Sequence, residues 1–143
     1  MSRIRLGSEE IRYMTIFENL TGAGIKDCVH SENIMGFLVN QGDMGLAIGK
    51  SGSNIEKVRK ATGREILVME FSDDATEFVR NLFQPIKVRR IKIHSADNEK
   101  VAIVEVNRND RKKVIGHGGH KIKIAKSLAS RHHNINDIKI KTL

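Results

Sequence analysis

An α+β fold built twice over is what this sequence predicts, on three observations. The phrase Ile, Gly-x-x-Gly, two residues, Ile occurs at 48–55 and again at 115–122. An apolar face at i, i+3, i+4 and i+7 (Tyr13, Ile16, Phe17, Leu20) recurs as Ala75, Phe78, Val79 and Leu82. Short strand-like runs accompany both copies in the same order. Each half therefore reads α-β-β-α-α-β, and the expected domains are 1–72 and 73–143, each a three-stranded mixed sheet covered by helices.

In the first half, the face carrying Tyr13 and Phe17 marks a helix. Ser8 is its expected cap, Glu9 and Glu10 suit its first turn, and Gly22 and Gly24 end it. Strands at 27–31 and 34–40 lie close enough in sequence for a hairpin. A helical turn at 43–48 leads into the first glycine loop, a helix at 53–62 leaves it, and Gly63 stops that helix. The run Ile66-Leu67-Val68-Met69 is a buried strand.

The second half repeats the order. Asp74 with Glu77 opens a helix that Pro85, the sole proline, closes. Strands follow at 88–94, where Ile91 and Ile93 alternate with Arg90 and Lys92, and at 101–106. A basic helical turn at 110–115 enters the second loop. A helix at 119–132 leaves it, with Asn134 ending that helix in a left-handed turn. Ile138 and Ile140 alternate with Lys139 and Lys141 in the final strand. The two early strands of each half should pair antiparallel. The last, reached through a helical crossover, should run parallel to one of them.

At 39% hydrophobic and 29% charged residues the chain reads as soluble and globular. No apolar run approaches the roughly 20 residues of a membrane span. Residues 1–6 hold two arginines with no apolar stretch behind them, so no secretory signal is expected and the predicted location is the cytoplasm. The lone Cys28 excludes an intrachain disulfide and is read as a buried or half-buried strand residue. The net charge of +8 lies wholly in the second half: residues 1–72 hold 9 Lys/Arg and 9 Asp/Glu, residues 73–143 hold 16 and 8. Such a half points to a polyanionic partner.

The two loops are where such a partner would be held. A phosphodiester needs room, N–H donors and positive potential. Glycines leave the backbone uncovered, and the start of the following helix offers unpaired N–H groups. The candidate RNA-binding residues are Ile48, Gly49, Lys50, Ser51, Gly52 and Ile55 in the first copy. In the second they are Ile115, Gly116, His117, Gly118, Gly119, Lys121, Ile122 and Lys123. The four isoleucines are expected to floor a groove for bases. With 4% aromatic residues and no Trp, recognition by exposed stacking platforms is not expected.

This arrangement resembles the KH module, whose Gly-x-x-Gly loop clamps about four nucleotides. The order α-β-β-α-α-β is similar to the type II form of that fold. Two units without a linker resemble the RNA-binding part of the NusA family of transcription elongation and termination factors, in its short archaeal form. The resemblance implies single-stranded RNA, a nascent transcript, as ligand, and RNA polymerase as a further partner. It implies no cofactor and no small-molecule substrate. KH loops commonly carry a basic residue between the glycines. Lys50-Ser51 conforms, whereas His117-Gly118, followed by an extra glycine at Gly119, should be looser and less charged, with Lys112, Lys113, Lys121 and Lys123 restoring the field.

Other chemistries fit less well. Gly49-Lys50-Ser51 resembles the end of a nucleotide-binding P-loop, but Met44 stands where that motif needs glycine, and the preceding segment reads as helix. A dinucleotide fingerprint fails because Lys121 replaces its third glycine. His117, His120, His132 and His133 invite a metal reading, yet no cysteine is near and the last two fall at the far end of their helix. No catalytic constellation stands out. The rival readings are a ribosome-associated or RNA-processing KH protein, and a protein–protein scaffold built from KH folds.

Overall fold

The computed structural model describes residues 6–142. Residues 1–5, on which most of the signal-peptide reading rests, and residue 143 lie outside them. By internal packing the described chain forms two compact units, 6–71 and 72–142.

The first unit runs α1 (Ser8–Thr21), β1 (Ile25–Ser31), β2 (Ile34–Val39), α2 (Met44–Ile48), a 3-10 turn (Lys50–Gly52), α3 (Ser53–Thr62) and β3 (Glu65–Glu70). Its sheet has the order β1-β2-β3, with β1 antiparallel and β3 parallel to β2. Phe17 from α1 lies against Phe37 from β2, ring centres 4.4 Å apart, and Met35, Val39, Ala47, Val58 and Ile66 close the core around them. Cys28 is buried on β1.

Ser8 is not the cap of α1. It is the first helical residue, Gly7 holds the N-cap position, and no side chain caps the end. The two acidic residues of that turn instead reach distant partners: Glu9 pairs with Arg64 at 2.6 Å and Glu10 with His30 at 2.9 Å. Arg64 also donates to the Tyr13 hydroxyl at 3.3 Å and to the Glu32 carbonyl at 3.3 Å, which ties α1 and the β1–β2 turn to the start of β3. Bonds from Arg64 first, then Arg12, hold the Tyr13 phenol below its ordinary pKa. Gly22 ends α1 in a left-handed conformation (φ 79°), as Gly63 does for α3 (φ 68°).

The second unit runs α4 (Ala75–Leu82), β4 (Val88–Ala96), β5 (Glu99–Val106), a 3-10 turn (Arg108–Asp110), α5 (Arg111–Ile115), a second 3-10 turn (His117–Gly119), α6 (His120–His133) and β6 (Asp137–Thr142). The order β4-β5-β6 repeats the first sheet, antiparallel then parallel. The carboxylate of Asp74 accepts from the Glu77 N–H at 2.8 Å, which caps α4. Asn134 ends α6 at φ 55°.

Several boundaries shift by a residue or two from expectation, and three of the shifts have a clear local cause. The β4–β5 hairpin extends to Ala96 and Glu99, because Asp97 (φ 51°) and Asn98 (φ 64°) make a two-residue turn whose twist suits paired strands. The polar run there resembled a longer loop. Helix α6 starts at His120 rather than Gly119, since Gly119 is left-handed (φ 75°). Asp43 precedes α2 instead of opening it, and its carboxylate accepts from the Gly24 N–H at 2.8 Å.

Candidate nucleic-acid interface

Each glycine loop joins a five-residue helix to a longer one, and the first glycine makes that junction possible. Gly49 ends α2 at φ 75°, ψ 171°, a conformation open in practice to glycine alone. A Cβ there would stand 2.8 Å from the Asn54 backbone nitrogen and 2.7 Å from its side-chain carbon. Asn54 in turn donates through Nδ2 to the Leu46 carbonyl at 2.7 Å, which occupies an acceptor left open at the end of α2. Ser51 (φ 55°) and Gly52 (φ 76°) then pass through the left-handed region before Ser53 begins α3.

The second loop has the same path. Gly116 lies at φ 80°, ψ 167°, and a Cβ on it would fall 2.7 Å from Lys121 Cγ and 3.1 Å from the Lys121 nitrogen. Gly118 and Gly119 sit at φ 64° and 75°. In both loops the last glycine N–H bonds the first glycine carbonyl at 3.1 Å. Around the last glycine there is space: a Cβ on Gly52 would meet only Ile55 at 3.9 Å, and one on Gly119 would meet nothing within 4 Å. The first glycine serves the helix crossing, and the second leaves main chain bare.

This alignment corrects the reading of the second loop. Gly119 is the counterpart of Gly52, not an extra residue. The additional glycine is Gly118, in the place of Ser51, and the backbone follows the same angles rather than a looser course. The position it vacates is approached by the His120 ring, 3.0 Å from where a Cβ would sit.

Beside the second loop opens a groove of about 430 Å³ lined by Arg111, Lys112, Ile115, Gly116, His117 and Gly118. Of the isoleucines expected to floor such grooves, Ile115 lines this one and Ile122 is half-buried nearby in sequence. Ile55 is buried in the core of the first unit, where it anchors its helix, and Ile48 is half-buried with one side packed against that core. Lys50, Ser51, His117 and Gly118 are exposed, as is Lys123, while Lys121 is half-buried under Gly116. Arg111 was not foreseen; its guanidinium bonds the Ile140 carbonyl at 3.3 Å, and the run Arg111-Lys112-Lys113 was the available signal.

The four histidines are separated. His117 and His120 stay at the loop, whereas His132 and His133 lie against Phe78 at the other end of α6. His133 donates through Nε2 to the Ser72 carbonyl at 2.8 Å. Among the described residues no helix is long and apolar enough to cross a membrane.

Comparison with known families agrees with this geometry. Residues 10–93 match the KH domain family, and residues 75–142 match the NusA-like second KH domain. The chain is 34% identical, over 98% of its length and 76% of the relative's, to a probable transcription termination protein NusA of Methanocaldococcus jannaschii. The chain belongs to the NusA family. A second NusA relative, from Halococcus morrhuae, is 35% identical over 96% of this chain and 99% of its own. Among solved structures, that of APE1850 is 33% identical and superimposes with a TM-score of 0.76, covering 95% of this chain and all of the other. Both units thus have the KH fold, with mixed three-stranded sheets and helices.

Proposed function

We propose that this NusA-family chain binds single-stranded RNA by holding its sugar–phosphate backbone at the two glycine loops, and that its target is the nascent transcript during elongation or termination. The supporting observation is the twice-made stretch of bare, left-handed main chain at the head of a helix. In this reading Gly52 and Gly119 admit the RNA backbone where Gly49 and Gly116 let the flanking helices cross, Lys50, Lys112 and Arg111 supply permanent charge, and His117 adds to it when protonated. Ile115 and Ile122 meet bases. The relatives are named as probable transcription termination proteins, which fits this reading, in which the role is binding rather than catalysis, in the cytoplasm, with RNA polymerase as the neighbouring machine. The two domains divide beside Ser72, within a residue of the boundary expected at 72–73.

The test is affinity for single-stranded RNA with the loops charged against it. Lys50→Asp with Ser51→Asp, combined with His117→Asp and Gly118→Asp, should weaken binding on the order of 100-fold, because each loop exchanges phosphate attraction for repulsion. Aspartate tolerates the left-handed positions at 51 and 118, and at 118 it requires only that the His120 side chain shift slightly, so the fold should survive, which a thermal melt checks. Unchanged affinity in a folded variant would refute the loop mechanism.

A further inference from the structure

The second sheet has a face that the loops do not use. Strand register sorts its residues into two sets. Ile91, Val104 and Ile140 form one cross-strand row, and Ile93, Ala102 and Ile138 another, on the face carrying the buried Ala102, Val104 and Ile138. The opposite face carries three rows: Arg90, Glu105 and Lys141; Lys92, Ile103 and Lys139; His94, Val101 and Asp137. Arg90, Lys92, His94, Lys139 and Lys141 are exposed, and Val101 and Ile103 are half-buried between them. Asp137 is engaged by Lys126 at 3.1 Å, and Glu105 stands between two cations in register.

The result is two columns of permanent cations on the outer strands, with aliphatic side chains between. From strand geometry the columns are about 10 Å apart, with about 7 Å between cations along each. The equivalent face of the first sheet is different in kind: Asp27, Val29, Leu38 and Met69 are buried there. Lysines on edge strands also discourage edge-to-edge pairing, a role these side chains can serve alongside a second one.

We infer that this face of the second unit is a separate RNA-backbone site, taking phosphates of a stretch of RNA beyond the nucleotides held at the loops. The surface has charge without aromatic platforms, so it suits phosphates rather than stacked bases. The inference rests on the RNA-binding reading of the loops, and its test keeps the two apart.

The test uses the full chain and a face variant, Arg90→Gln, Lys92→Gln, Lys139→Gln and Lys141→Gln, beside the loop variant. Binding is measured across salt with an RNA of about eight nucleotides, the reach of two loops, and with one several times longer. Four lost single-strand phosphate contacts reduce the salt slope by about 2.8, so between about 50 and 200 mM salt the wild type should lose roughly 50-fold more affinity than the face variant. That difference should arise with the long RNA and vanish with the short one. Lys139→Arg with Lys141→Arg should behave as wild type, which separates charge from any damage to the strand. If the face variant keeps the wild-type slope on long RNA while the loop variant loses binding, the face proposal is overturned and the loop reading stands. Loss of binding to an acidic polypeptide alone would overturn it in favour of a protein partner. A wild type that binds neither RNA removes both readings.

Discussion

The two glycine loops trace one backbone with two chemistries. Gly49-Lys50-Ser51-Gly52 and Gly116-His117-Gly118-Gly119 share their turn angles and their closing hydrogen bond, yet the helices leading into them have almost nothing in common. Helix α2 is Met44-Gly45-Leu46-Ala47-Ile48, uncharged and with Leu46 51% exposed. Helix α5 is Arg111-Lys112-Lys113-Val114-Ile115, with Lys113 in the place of Leu46. Shape at such a loop is therefore set by glycine and local hydrogen bonding, and the field around it is set independently by the side chains of the leading helix. The first loop presents a cation on the loop itself, and the second presents most of its charge beside it.

The sharpest way to break this comparison is through the glycines. Gly49→Ala and Gly116→Ala should each destabilise their unit by about 2–4 kcal/mol, combining a conformation reserved for glycine with a collision against the following helix. Gly52→Ala and Gly119→Ala meet open space and should cost only about 1–2 kcal/mol, the left-handed penalty alone. Denaturant melts give both numbers; equal costs at the two positions would mean that the glycines do not divide their roles as described.

A smaller effect should come from exchanging side chains between the loops. Leu46→Lys gives α2 the charge found in α5 and should steepen the salt dependence of RNA binding by about 0.7, the value of one phosphate contact on a single strand. His117→Lys should strengthen binding by a few-fold at low salt and lose that gain at high salt. If neither changes the slope, the leading helices do not face the RNA.

The smallest expected effect separates the units by pH. Asp137 feels burial, which raises its pKa, but bonds from Lys126 and the Ile138 N–H and the charges of Lys126 and Lys139 outweigh it and leave the carboxyl below its ordinary value. A depressed folded pKa stabilises the fold above the unfolded pKa, and the gain is lost as pH falls through the folded one. Acid titration of stability should thus show a modest loss in the second unit below the usual carboxylate range, and Lys126→Gln should flatten it. The pair is largely solvated, so the change will be slight.

Elements bounded by strong punctuation were legible in the sequence. Helix α3 occupies 53–62 because a left-handed glycine stands at each end, and α6 ends at Asn134 for the same reason. Where polar residues do double duty, legibility failed. Ser8 resembled a cap, but the chain enters α1 through Gly7 and the first-turn carboxylates are drawn to Arg64 and His30. Asp97-Asn98 resembled loop, yet both residues tolerate positive φ and extend the hairpin. At the candidate site, the glycines and Lys50 could be named from spacing alone. Arg111 could not, because its place at the groove depends on the β6 carbonyl that it bonds.

By itself, the sequence determined the α-β-β-α-α-β order, its repetition, and the two places where glycine forces the chain through conformations other residues avoid. These follow from local sterics and periodicity, which act over a few residues. Tertiary structure alone decided that Ile55 is buried in a core while Ile122, its counterpart in the second phrase, is only half-buried, and that Lys92 and Lys139 flank Ile103 on one face. Identical phrases diverge there because burial depends on which distant surfaces a side chain meets, and strand register joins residues far apart in the chain.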